Sequence, residues 1–265
     1  MEKELDQPLL PKTTKPRGIY LLPNLFTTAA LFAGFYAIIA GVKGYFDTAA
    51  IAIFIAMVAD TLDGRVARLT NTQTAFGAEY DSLSDMAAFG IAPSLLVYSY
   101  SLSQLGKLGW LISFLYTAAT ALRLARFNTQ VNDQDKRYFQ GVPCPAAAGV
   151  LAGAVWLGSS CDVYSGMLLA IPMGAITVFV AALMVSTIRY YSFKKIDLRG
   201  KVPFMAAVLL VVLIAGVALN PPQILFGIFF LYVLSGPVVT LWYLRKMRRL
   251  AVLRKKRNAQ MRGSE

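Results

Sequence analysis

Histidine is absent from the 265-residue chain. That removes imidazole bases, imidazole metal ligands and histidine pH switches from consideration. Two cysteines, Cys144 and Cys161, make neither a disulfide framework nor a zinc site. Charge is scarce as well. Only 15% of residues are charged, where a soluble domain carries about a quarter. Acidic residues are the scarcer sign, 14 against 26 Lys and Arg, for a net charge of +12.

What is abundant is apolar. Hydrophobic residues make up 57% of the chain and mean hydropathy is +0.55. A basic, apolar chain of this kind reads as an integral membrane protein. Its positive excess suits anionic lipid headgroups rather than nucleic acid.

A membrane-crossing helix needs about 20 mostly apolar residues. Eight such stretches lie near 22–41, 46–69, 81–103, 107–127, 143–160, 163–189, 202–220 and 222–245. Punctuation such as Gly41-Val42-Lys43-Gly44 and Asn220-Pro221-Pro222 separates them. The first is not a cleaved signal peptide, because it follows a segment containing Pro8, Pro11 and Pro16 and no small-residue cleavage site succeeds it. With both termini inside, 24 basic residues fall on the cytoplasmic side and only Lys43 and Lys107 outside, as the positive-inside rule asks. The expected fold is therefore an all-α, polytopic membrane bundle of about eight helices in the cytoplasmic (inner) membrane. Cys144 falls near the inner face and Cys161 near the outer, too far apart to pair. Tyr190, Tyr191 and Trp242, near helix ends, read as interfacial anchors. The basic tail from Arg245 reads as topogenic, with an anionic-lipid site as the alternative.

Acidic residues within or beside apolar helices are costly and functional by default. Asp60 and Asp63 stand three apart, and Asp81 and Asp85 four apart, so each pair shares a helix face. The two helices are expected to run antiparallel through a short inner connection, residues 70–80. That brings all four carboxylates to similar depth near the cytoplasmic surface. Such a cluster repels itself unless divalent cations neutralise it. All-oxygen ligands select a hard ion, Mg²⁺ or Mn²⁺, and two ions about 4 Å apart would clamp a phosphate. Gly64 and Ala67, and Gly77 one turn before Asp81, leave room for a flat ligand or for close helix packing.

The run Asp60-x2-Asp63-Gly64-x2-Ala67-Arg68-x8-Gly77-x3-Asp81-x3-Asp85 resembles the signature of the CDP-alcohol phosphotransferases at every fixed position. Further segments are similar to the phosphatidylserine synthase branch: Pro23-Asn24 to Thr27, Arg123 to Asn128, Phe139 to Ala148, and Leu183 to Lys194. The resemblance implies transfer of a phosphatidyl group from CDP-diacylglycerol to L-serine, releasing CMP, at the cytoplasmic face. It implies Asp60, Asp63, Asp81 and Asp85 as metal ligands, with Asp85 also the general base. It further implies Asn24, Gly64, Ala67, Arg68, Thr74 and Gly77 as the CDP-lipid site, and a homodimer. Arg123 and Arg126, with Asn128 and Lys194, are candidates for binding the acceptor, although the two arginines equally suit positive-inside anchoring. The chain then divides into a basic tail (1–20), a CDP-alcohol phosphotransferase core of about six helices (21–201), two further spans (202–245) and a basic tail (246–265). The alternatives are another acceptor, glycerol phosphate or inositol phosphate, and more remotely a cation transporter; no second copy of the aspartate pattern supports the latter.

Overall fold

A computed structural model describes residues 21–70, 72, 74–129, 138–161, 166–191 and 204–262. Helix α1 (Leu21–Val42) leads through a tight turn at Gly44 into α2 (Phe46–Thr70). Helix α3 (Ala75–Asp85) continues through a π-helical turn (Met86–Ile91) into α4 (Ala92–Tyr100) and a short 3-10 turn (Leu102–Leu105). Then come α5 (Lys107–Thr129), strand β1 (Tyr138–Gln140), α6 (Cys144–Ser160), α7 (Met167–Val185) and strand β2 (Arg189–Tyr191). Helices α8 (Phe204–Leu219) and α9 (Pro221–Arg262) complete the chain.

Small side chains bring the first two helices together. On α1, Thr27, Ala30, Ala33, Ala37 and Ala40 are buried at three- and four-residue steps. On α2 the buried positions Ala49, Ala52, Ile53, Ala56, Ala59 and Asp63 follow the same spacing. Each series is one helix face, and the two faces meet along most of their length. Small residues permit such an approach in membranes, where packing replaces the hydrophobic effect as the force between helices. Helix α6 is the central element. Its residues Ala146 to Val155 are buried without a break, and α9 approaches it at two glycines. A Cβ on Gly149 would lie 2.7 Å from the ring of Phe229, and one on Gly153 would lie 3.0 Å from the Phe226 backbone.

Large apolar side chains such as Phe32, Phe35, Ile55, Phe114, Leu168 and Leu231 face outward. Among the described residues, four helical stretches are long and apolar enough to cross a membrane: Asn24–Val42, Lys107–Thr129, Met167–Val185 and Pro221–Thr240. The protein is a helical membrane protein.

Several expectations change. The all-α bundle stands and carries one short ribbon that was not expected, β1 and β2 paired antiparallel with Phe139 opposite Tyr190. The connection after α2 is shorter than expected: Thr74 caps α3 by accepting the Gly77 amide at 2.9 Å, so the helix already runs at Ala75. The third stretch is broken by the π turn. The last helix continues to Arg262, because its tail is built of Arg, Lys, Leu and Ala, all strong helix formers. Tyr190 is no interfacial anchor. It is 1% exposed, its hydroxyl donates to the Val233 carbonyl at 2.9 Å, and its ring occupies the space a Cβ would need at Gly236. Trp242 is exposed, as an anchor would be, while the side chain of Tyr191 and residue Lys194 lie outside the described residues. Both cysteines are free, Cys144 buried and Cys161 exposed.

Gly141 starts the turn into α6 with φ +76°, its amide donating to the Ile188 carbonyl at 2.8 Å and its α-carbon against the Met184 carbonyl. Gly141→Ala puts a Cβ into that carbonyl in left-handed backbone. The expected cost is about 2 kcal/mol or more, read as a lowered melting temperature of the purified protein; an unchanged midpoint refutes it.

Candidate active site

The buried stripe of α2 ends in a carboxylate. Asp63 is 5% exposed and continues the face that carries Ala56 and Ala59, so α1 has to supply its partner. Thr27, on the matching face of α1, donates its hydroxyl to Asp63 Oδ2 at 2.8 Å. Asp60 stands nearly one turn before, half-buried. Helix α3 brings in Asp81, also half-buried, and oxygens of Asp60, Asp63 and Asp81 all lie within 4.8 Å of one another. Asp85 is outside that group of three; it faces Asp60 and Asp81 and is within hydrogen-bond reach of Asp60.

Three local contacts hold α3 in this register. The Ser84 hydroxyl donates to the Thr27 carbonyl at 3.1 Å, and the hydroxyls of Thr28 and Tyr80 meet at 2.9 Å. On the opposite side the Asn128 amide donates to Ser82 at 3.1 Å. The donor set of the triad is all oxygen, gathered where α1, α2 and α3 converge. It fits a hard divalent cation and no softer one.

Beside the triad lies a pocket of about 340 Å³. Its walls are Asn24 and Thr27 from α1, Asp63, Gly64, Ala67 and Arg68 from α2, Thr72 and Thr74 from the connection, and Gly77, Ala78 and Asp81 from α3. All six residues assigned from sequence to the nucleotide-linked lipid line this one space, together with two of the aspartates. Gly64 is not a helix-packing glycine: a Cβ there would meet only the Arg68 guanidinium, at 3.9 Å. Arg68 is steadied by donating from Nε to the Gly64 carbonyl at 2.7 Å. Gly77 is tighter, with the Thr74 hydroxyl 3.1 Å and the Asn24 side-chain oxygen 3.6 Å from the position of a Cβ.

Of the residues suggested for the acceptor, the three described, Arg123, Arg126 and Asn128, do not line this pocket. Arg123 is half-buried, donates from Nη1 to the Cys144 thiol at 2.9 Å and turns its charge toward Asp85. Its Nε is buried without a hydrogen-bond partner. Arg126 instead bonds the Gln140 side chain and, at 3.5 Å, the Val185 carbonyl, which ties β1 to the end of α7. Asn128 is engaged by Ser82. Of these three described residues, Arg123 is the one that faces the acidic cluster, through Asp85. Thr27, Thr72 and Ala78 also line the pocket and carry no role in the sequence reading. Thr27 was within reach of it, since it follows Asn24 by three residues on the same helix face.

A family model described as CDP-alcohol phosphatidyltransferase matches residues 20–181. A Helicobacter pylori (strain J99) protein named CDP-diacylglycerol–serine O-phosphatidyltransferase is 38% identical over 214 residues, covering 81% of this chain and 90% of that protein. A protein of the same name from Methanocaldococcus jannaschii is 36% identical over 138 residues, 52% of this chain and 61% of that one. An archaetidylserine synthase of Methanothermobacter thermautotrophicus is 33% identical over 171 residues, 64% and 69% respectively.

Thr27→Val keeps the shape of the side chain and removes the donor to Asp63. It is expected to weaken Mn²⁺ binding by roughly tenfold, the lower end of what outer hydrogen-bond partners of metal ligands contribute. Titration of the purified protein followed by electron paramagnetic resonance reads this directly, and unchanged Mn²⁺ affinity would detach Asp63 from any cation site.

Proposed function

The chain belongs to the CDP-alcohol phosphatidyltransferase family, and we propose that it transfers the phosphatidyl group of CDP-diacylglycerol to the hydroxyl of L-serine, giving phosphatidylserine and CMP. The observation that carries this reading is the juxtaposition of the oxygen triad with the pocket walled by Gly64, Arg68 and Gly77. The names of the relatives support the choice of donor and acceptor.

The pocket volume, about 340 Å³, suits a polar nucleotide headgroup whose acyl chains stay in lipid. Gly64 offers it a flat wall, and the Arg68 guanidinium is an anion partner beside that wall. Asp60, Asp63 and Asp81, together with Asp85 beside them, would hold divalent cations, Mg²⁺ or Mn²⁺ and two in number, which when bound supply charge neutralisation to the diphosphate. Asp85 lies next to this group and takes the proton of the serine hydroxyl as its oxygen bonds to the β-phosphorus. The bond from that phosphorus to the CMP oxygen breaks, and CMP departs as an anion that needs no proton. Arg123, turned toward Asp85, is positioned to receive the serine carboxylate beside the base. Arg126, bound to Gln140 and Val185, contributes by fixing the floor under α7, with Asn128 and Lys194 as further acceptor contacts.

Around this chemistry we assign eight spans with both termini cytoplasmic and the site at the cytoplasmic face of the inner membrane. The core is 21–201, two further spans cover 202–245, basic tails flank them, and the working unit is a homodimer. Loop charge supports the orientation.

Purified protein given CDP-diacylglycerol and serine is expected to yield CMP and phosphatidylserine in equal amounts, and chelation should stop it. CMP formed with glycerol phosphate but not with serine would reassign the acceptor. Asp85→Asn is expected to abolish turnover while CDP-lipid binding persists; CMP release near the parental rate would remove the base assignment. Gly64→Leu should fold, since leucine favours the helix more than glycine. It fills the pocket, a steric cost of about 1–3 kcal/mol and so roughly a tenfold or greater loss of CDP-diacylglycerol affinity. Parental affinity in a binding assay would move the ligand elsewhere.

A further inference from the structure

The helix that carries Asp81 and Asp85 changes its winding immediately after them. Residues Met86–Ile91 form a π-helical turn, and the Ala92 amide donates to the Ala87 carbonyl, five residues back. One residue more per turn rotates everything on one side by about 100° relative to an unbroken α-helix. In an unbroken helix Asp81 and Asp85 would share a face with Ala88, Ala92 and Leu96. That face belongs to α1: a Cβ on Gly34 would lie 2.6 Å from Ala88 Cα, and Leu96 sits against Gly41. The structure instead turns Tyr80 and Ser84 toward α1, where they bond Thr28 and the Thr27 carbonyl. Asp85 is thereby free to face Asp60 on α2. The π turn is the device that separates the packing face from the acidic face.

Two features hold the turn in place. Pro93 has no amide hydrogen, so the Phe89 carbonyl lacks its α-helical donor four residues on. Tyr116 of α5, fully buried, donates its hydroxyl to that carbonyl at 3.0 Å. Next to it Gly90 meets Thr120, whose methyl lies 3.1 Å from where a Cβ would be. A buried carbonyl left without a donor is costly, and a phenol at this depth needs an acceptor, so each satisfies the other.

We propose that Tyr116 is a positioning residue for the reaction: its hydroxyl fixes the π turn through the Phe89 carbonyl and so sets the direction of Asp85. The proposal rests on Asp85 acting as the base. The test compares full-length Tyr116→Phe, Thr117→Val and Asp85→Asn proteins in reconstituted membranes. Thr117 makes a similar bond from α5 to α4, to Ser94 at 2.9 Å, and Ser94 in turn donates to the Ile91 carbonyl rather than to that of Phe89. Tyr116→Phe is expected to lower kcat by about tenfold or more, as a misdirected group does, with KM for CDP-diacylglycerol and serine within about twofold. Thr117→Val should leave kcat at the parental value. In a Pro93→Ala background, where an amide can satisfy Phe89, Tyr116→Phe should add no further loss. A parental kcat in Tyr116→Phe beside an inactive Asp85→Asn overturns the positioning role alone. Equal losses in Tyr116→Phe and Thr117→Val, or multiplying losses with Pro93→Ala, also overturn it. An active Asp85→Asn overturns the base assignment and this proposal with it.

Discussion

Like charges gathered at the end of an apolar bundle set the terms for everything around them. Three carboxylates with oxygens within 4.8 Å of one another repel by about 3–4 kcal/mol per fully charged pair at an effective dielectric constant of about 20. No sequence keeps such a cluster for stability alone. The surrounding structure reads as the means of holding it. Thr27 donates to the most buried of the three, α2 carries two of them nearly one turn apart, and α3 delivers the third from ahead of the π turn. The same repulsion makes the site a trap for hard cations and, through them, for a phosphate ester.

The aspartate signature was legible because its spacing is a helical spacing. Steps of three and four residues place side chains on one face whatever the tertiary context, so Asp60, Asp63, Asp81, Gly64, Arg68 and Gly77 converge as their positions require. The apolar stretches likewise located most of the helices to within a few residues, the start of α3 and the end of α9 excepted, because hydropathy and chain punctuation act locally.

What was not legible depends on partners distant in sequence. The π turn is met by Tyr116, whose hydroxyl reaches the Phe89 carbonyl across 27 residues, and neither residue announces the other. Tyr190 looks interfacial by position, yet it projects from β2 onto α9 because Gly236 leaves space for its ring. Arg126 lies on the same helical face as Arg123 and still serves a different neighbour, the Gln140 side chain, since β1 crosses its path. In each case a long-range contact overrides a local signal.

The alanine-lined contact between α1 and α2 has a thermodynamic corollary. Alanine has no rotamers to surrender, so zipping these two helices together forfeits almost no side-chain entropy, and the resulting strut has little slack. A ligand arriving at its end, where Asn24 and Thr27 stand across from Gly64 and Arg68, meets walls already in their final arrangement. The ordering cost of recognition has been met during folding, which leaves more of the contact energy available to grip the headgroup.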